Sequence, residues 1–253
     1  METGLLFVVP LALICKFVDS SLGMGYGTIL TPILLLMGFS PLQIVPSILF
    51  SEFITGLTAA FFHHSLKNVN FERHSQDIRV AAVLSCFAVA GTVAAVFLTV
   101  KLPANILTTV IGFIILAMGV VILVKPNRTP RFTWRKIVII GTIASFNKGM
   151  SGGGYGPLVM GGQLFSGIAV RNAVSITLLS KGVTCFVGVI SYCILRPHID
   201  WSLAPSLLIG AVLSVPLGAY FLKRMSEKTG KITACITMAV LGCLTLGKVV
   251  SGL

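Results

Sequence analysis

The sequence predicts an all-α integral membrane protein made of two inverted repeats, each a glycine-rich re-entrant helical hairpin plus three transmembrane helices. Three observations carry this reading. Of 253 residues 55% are hydrophobic and 10% charged, with a mean hydropathy of +0.99, a balance that leaves too little polar surface for a water-soluble domain. An offset of 129 positions, the distance from Gly23 to Gly152, also superposes Phe17, Gly25, Tyr26, Gly27, Leu35, Gly38, Val45, Leu49, Ser51 and Thr55 on identical residues. Finally, the basic residues collect in loops in a pattern that distinguishes one topology from another.

The apolar run at 5–18 is too short to cross a bilayer alone, since a spanning helix needs roughly 20 residues. It has no basic flank and no clear cleavage site, so it is expected to be retained. A glycine-rich break follows, then a second short run at 29–37 and a full-length one at 41–62 with Glu52 in its middle. Beyond the polar loop 63–79 come spans at 80–100 and 106–124. Residues 1–124 form repeat 1, the basic segment 125–136 links the copies, and 137–253 form repeat 2. Repeat 2 repeats the order: short runs at 137–146 and 158–165 around a break, then spans at 170–195, 203–222 and 232–250.

Each pair of short runs is either one broken helix, giving parallel copies, or a hairpin, giving inverted ones. With hairpins, Lys67, Arg73, Arg79, Lys125, Arg128, Arg131, Arg135, Lys136, Arg171, Lys223, Arg224, Lys228 and Lys231 share one face, and Lys101, Arg196 and Lys248 the other. With broken helices the cluster at 223–231 changes sides and the bias nearly vanishes. Cytoplasmic loops collect Lys and Arg, so hairpins are preferred, with both termini outside and two tips meeting near mid-membrane. Irregular backbone at that depth must be buried in protein or line a wet cavity.

The second break, Asn147-Lys148-Gly149-Met150-Ser151-Gly152-Gly153-Gly154-Tyr155-Gly156-Pro157, opens with charge and ends with a proline suited to a helix's first turn. A half-helix starting there aims its positive end inward, which favours an anion. Gly23, Gly25 and Tyr26 repeat the design, while Met24 and Thr28 stand where repeat 2 has Gly153 and Pro157. Close helix packing is the other use of such glycines. At the same offset Asp19 falls on Lys148 and Glu52 on Lys181, and an ionisable group inside a membrane is by default a functional hypothesis. Lys148 and Lys181 are therefore the expected anion-binding groups, and Glu52 and Asp19 the candidates for proton coupling. Alternatively, Glu52 with Lys181, or Lys16 with Asp19, simply neutralise each other. Asn147, Ser151, Gln43 and Asn172 are candidate hydrogen-bond donors to an oxyanion or helix caps. Tyr26 and Tyr155 are expected to close the cavity or pack.

Six scattered cysteines lack any Cys-x-x-Cys spacing and read as buried packing residues. The four histidines lie in or beside loops, read as interface residues, and give no metal set. No cofactor is implied. The net charge of +12 resides in loops as a topology signal, which argues against nucleic acid as a partner.

Gly-Met-Gly-Tyr-Gly from Gly23 and Gly-Gly-Gly-Tyr-Gly-Pro from Gly152 resemble the glycine patterns of the TauE/SafE family, also grouped as TSUP or the sulfite exporter family. The resemblance covers essentially the whole chain. It implies a multi-pass anion transporter of the cytoplasmic membrane, acting mostly in export, on sulfite, thiosulfate, organosulfonates and related small anions. With no Walker-type phosphate loop in the chain, a secondary transporter is expected, coupled to protons or driven by membrane potential. Other classes are an anion channel and a membrane-embedded enzyme, the latter without a zincin motif, a nucleophile elbow or paired catalytic carboxylates.

Overall fold

The structure, a computed structural model, describes residues 2–102, 134–164, 166–196, 198–226, 228–230, 232–233, 236–237 and 240. The helices run α1 (Glu2–Leu22), α2 (Tyr26–Leu36), α3 (Pro41–Ser65), α4 (Gln76–Lys101), α5 (Trp134–Ser151), α6 (Tyr155–Leu164), α7 (Val170–Leu195) and α8 (Ala204–Arg224). No strand occurs among the described residues. Among the described residues four helices, α3, α4, α7 and α8, are long and apolar enough to cross a membrane. The expected span 106–124, nearly all of 232–250 and most of the basic link lie outside the described residues, as do Cys235, Cys243, Lys231 and Lys248.

Sequence signals set the helix starts. Pro41 takes the first turn of α3 behind Ser40, as suits a residue without an N–H. The Ser75 hydroxyl caps α4 by accepting from Ile78 N–H, with Asp77 in the first turn.

The expectation that fails is the half-length of the first segment in each repeat. Helices α1 and α5 have 21 and 18 residues, about 31 and 27 Å at 1.5 Å per residue. They continue through the polar positions that end the apolar runs, because those side chains are buried with partners. Lys16 pairs with Asp19, and Ser21 Oγ donates to Phe17 O at 2.6 Å. Each helix stops at a glycine in the left-handed region. Gly23 and Gly152 adopt φ of 74° and 70°, where an L side chain is disfavoured, and their N–H groups donate to Asp19 O and Lys148 O at 2.7 and 2.9 Å, a common helix C-cap.

The chain then turns back on itself. Tyr26, Leu30 and Leu34 of α2 share a core cluster with Val8, Ala12 and Cys15 of α1, and Tyr155 and Val159 of α6 share one with Ile137 and Ala144 of α5. A continuous broken helix would have carried these residues apart. The two tips do not meet end to end; they pass each other. Gly23 lies against Val174 and Gly152 against Val45, pairs related by the 129-residue offset.

Helix directions follow from the packing. Gly210, Ser214 and Gly218 of α8 meet Val9, Leu13 and Ser20 of α1 in increasing order, so these helices run in the same sense. Leu84, Gly91 and Ala95 of α4 likewise meet Gly141, Ser145 and Gly149 of α5. Helix α7 runs with α4, Ile176 beside Val80 and Gly188 beside Thr92, and α3 with α8, ending where Asn68 donates to Ala219 O at 3.0 Å. Helices α3 and α7 cross in opposite senses, with Gly56 on Gly182 and Leu49 on Gly188. Thus α1, α3 and α8 point one way and α4, α5 and α7 the other. Lys67, Arg73, Arg79, Arg171, Lys223, Arg224 and Lys228 fall at the end where α3 and α8 finish, and Lys101 and Arg196 at the opposite end.

Candidate functional site

A chain of buried charges joins α1, α3, α5 and α7. Lys16 Nζ lies 2.8 Å from Asp19 Oδ2, Lys181 Nζ 2.5 Å from Asp19 Oδ1 and 3.2 Å from Glu52 Oε1, and Lys148 Nζ pairs with Glu52 Oε2. All five side chains are at most 2% exposed. The order Lys16, Asp19, Lys181, Glu52, Lys148 alternates in sign, and the offset that maps Asp19 onto Lys148 maps Glu52 onto Lys181. The pair Asp19 with Lys181 is therefore the image of Lys148 with Glu52, signs exchanged. Both the expected binding lysines and the expected neutralising pairs are present in this one network. Among the described residues, two carboxylates face three ammonium groups, one cation in excess, in surroundings where an uncompensated charge is costly.

The tips are better satisfied than the sequence implied. Gly153 N–H donates to Ser151 Oγ at 3.2 Å and Gly154 N–H to Thr28 Oγ1 at 3.0 Å, so hydroxyls engage the backbone donors expected to face an anion. Lys148 Nζ also donates to Gly152 O at 2.5 Å. Asn147, Ser151, Gly153 and Gly154 border a cavity of about 10 Å³ with Gly27, Thr28 and Thr31. Thr31, which donates to Ser151 O at 2.9 Å, is a lining residue missed from sequence; its one signal was a hydroxyl at the position where repeat 2 has Met160. Gly23 packs on Val174, and Gly25 caps α2 with φ 122°. Tyr26 and Tyr155 belong to core clusters, the Tyr26 hydroxyl 2.9 Å from Ser51 Oγ and donating to Leu207 O at 3.2 Å.

Gln43 and Asn172 are not brought to this centre. Gln43 Nε2 donates to Asp200 Oδ2 and Ser202 Oγ, both at 2.8 Å, at one end of the bundle. Asn172 Nδ2 donates to Asp77 Oδ2 at 2.7 Å at the other. The helices carrying them point in opposite directions, so equivalent positions near helix starts separate. Beside these matching latches lie open hollows of about 500 Å³, bordered by Arg196, His198 and Trp201, and about 360 Å³, bordered by Asp77, Ser166 and Asn172. The Ser202 backbone N–H and then its hydroxyl hold the Asp200 carboxyl below its ordinary value. A lowered folded pKa means this contact is fully present above the ordinary carboxylate range and lost only as pH falls through the lower value.

Two smaller expectations are corrected. His63 is buried, its Nε2 3.1 Å from Ser20 O and its Nδ1 3.0 Å from Asn68 Nδ2, pinning the end of α1 where the sequence placed a loop residue. Cys15 and Cys185 are buried packing residues, while Cys86 and Cys193 are exposed. Among the described residues no cluster of three or more His, Cys, Asp or Glu could hold a metal.

Several long apolar helices around a sealed ionic centre define a multi-pass membrane transporter. The description "Sulfite exporter TauE/SafE" matches residues 8–245, and the chain belongs to that family. It is similar to two Bacillus subtilis (strain 168) proteins. The probable membrane transporter protein YtnM is 24% identical over 226 residues, 85% of this chain and 73% of that protein. The probable membrane transporter protein YdhB is 24% identical over 202 residues, 76% and 79% of the two chains. No solved structure matches the chain. The family is one of transporters and not of enzymes.

Proposed function

We propose that this protein is a secondary carrier exporting a small anion, such as sulfite, thiosulfate or an organosulfonate, across the cytoplasmic membrane. The observation that carries the reading is the buried ion chain with one cation in excess. The opposed helix directions support two inverted repeats, 1–124 and 137–253 joined by 125–136, and the basic end supports a cytoplasmic face there with both termini outside. In this reading the anion replaces Glu52 on Lys148, and the freed carboxylate takes a proton. Asp19 keeps Lys16 on its own helix, whereas both lysines of Glu52 come from other helices. Glu52 is therefore the coupling group and Asp19 the anchor.

The test is flux in proteoliposomes with sulfite, thiosulfate and methanesulfonate, with and without an imposed pH gradient. Saturable flux that responds to the gradient in the parent and not in Glu52→Gln is the expected result. Flux of no anion above that of protein-free vesicles would overturn the carrier, non-saturating flux would make it a channel, and gradient-insensitive parent flux would remove the proton.

The two latches are the gates of alternating access. Cys185 Sγ lies 3.8 Å from Glu52 Oε2 and reports on them in protein whose other cysteines are replaced. Asp77→Asn should speed its labelling by a membrane-impermeant thiol reagent from the basic face, and Asp200→Asn from the opposite one, each about tenfold, as losing one charge-assisted hydrogen bond implies. Acceleration from the same face by both variants contradicts this assignment.

A further inference from the structure

The two tips are related by the sequence offset, yet their surroundings differ in kind. The cavity in front of the repeat 2 break is bordered by Thr28, Thr31, Asn147 and Ser151. The offset carries these positions onto Pro157, Met160, Val18 and Leu22. There, Leu22 and Met160 are fully packed core with Met24, and Val18 lies against the same cluster. One tip is bordered by residues carrying hydroxyls and an amide, their polar atoms turned into hydrogen bonds with one another and with the backbone; its image is bordered by methionine, leucine and valine.

The ion chain reaches both tips. Lys148 opens the repeat 2 break, and its ammonium donates to Gly152 O, between the cavity-lining residues Ser151 and Gly153. Asp19 opens the repeat 1 break, held between Lys16 and Lys181. Residues able to donate hydrogen bonds thus gather at one tip and apolar filling at the other, while paired charges lie beside both. An oxyanion can find donors at the first and none at the second.

The geometry points to a single, one-sided oxyanion seat at the repeat 2 break, with Thr28, Thr31, Asn147 and Ser151 supplying donors around oxygens whose charge Lys148 balances. The image position is a permanent apolar plug. This deepens the carrier reading and rests on it. Thr28 Oγ1 and Ser151 Oγ, which accept from Gly154 and Gly153 N–H, occupy those backbone donors in place of substrate oxygens. Turning the hydroxyls outward, with Ser151 giving up its bond to Asn147 O at 2.9 Å, frees two N–H groups and presents two O–H groups together. At about 10 Å³ the cavity is near the lower limit for one water, so occupancy requires α2 to withdraw from α5. The ligand class is a small oxyanion with several acceptor oxygens, sulfite or a sulfonate, and not a halide, which offers a single acceptor centre.

The test is calorimetric binding of sulfite, methanesulfonate and chloride to the full-length purified protein. Two near-isosteric exchanges at opposite tips, Thr31→Val and Val18→Thr, are compared, with Lys148→Met as the control for the carrier site. Thr31→Val should weaken oxyanion binding about tenfold, while Val18→Thr stays within about twofold of the parent by the same scale. Thermal unfolding of each variant checks that the fold is kept, and Ser151→Ala replaces Thr31→Val if the latter unfolds. Equal losses at the two tips, no loss at Thr31 and Ser151, or chloride binding as tightly as sulfite would each overturn the one-sided seat. In those cases an oxyanion still bound by the parent and lost in Lys148→Met leaves the carrier reading standing. A parent that binds none of the three ions overturns both.

Discussion

Lys148→Met and Lys181→Met should each fold, insert and unfold thermally close to the parent, yet lose anion flux by more than about a hundredfold, the scale for removing one partner of a hydrogen-bonded charge pair between a site and its ligand, about 2–5 kcal/mol of binding. The reason is a charge count. Removing either lysine from the alternating chain leaves two ammonium groups facing two carboxylates, a neutral set. After Lys181→Met, Asp19 retains Lys16 and Glu52 retains Lys148; after Lys148→Met, Glu52 retains Lys181. The fold loses an interaction without stranding a charge, but the spare cation that attracts an anion is gone. Glu52→Gln acts oppositely. It leaves three ammonium groups with one carboxylate, so it should destabilise by about 3–5 kcal/mol, the scale for breaking a buried pair. Near-normal flux in both lysine variants would mean that the ion chain is scaffolding only.

The second large effect is steric. Gly27 is an ordinary helical residue of α2, where alanine by itself would favour the helix. A Cβ there would overlap the carbonyl oxygen of Gly152, with Gly153 Cα 3.1 Å away. Both obstacles are backbone and cannot swing aside. Gly27→Ala must therefore separate the crossing tips, at a cost of more than about 3 kcal/mol and with loss of transport. Gly38→Ala is the comparison: nothing lies within 4 Å of its Cβ, but φ is +88°, so only a backbone penalty of about 1 kcal/mol applies. Thermal unfolding in detergent separates the two. A Gly27→Ala protein as stable as Gly38→Ala would show that the tips do not pass in contact.

Much of this arrangement was legible in the sequence because the duplication is ungapped. The breaks, the sign exchange at Asp19 with Lys148 and Glu52 with Lys181, and the loop charge bias are all readable from residue types. Helix lengths were not, since Asp19 and Lys148 look like ends when judged by polarity, and only their partners on other helices show that they are interior. Gln43 and Asn172 failed for a different reason. Positions matched by the offset converge when they lie mid-helix, as Glu52 and Lys181 do, and diverge when they lie at helix starts. His63, bonded to Ser20 O, looked like a loop residue because nothing local marks the tip it anchors.

The exchange of signs between the copies also says how the two halves depend on each other. Two copies of repeat 1 assembled alone would bring Asp19 and Glu52 into contact with their own images, massing carboxylates at the centre. Two copies of repeat 2 would mass lysines in the same place. Like charges buried at such distances repel strongly. The two sequence copies are thus complementary, and neither could pair with a second copy of itself without burying like charges together.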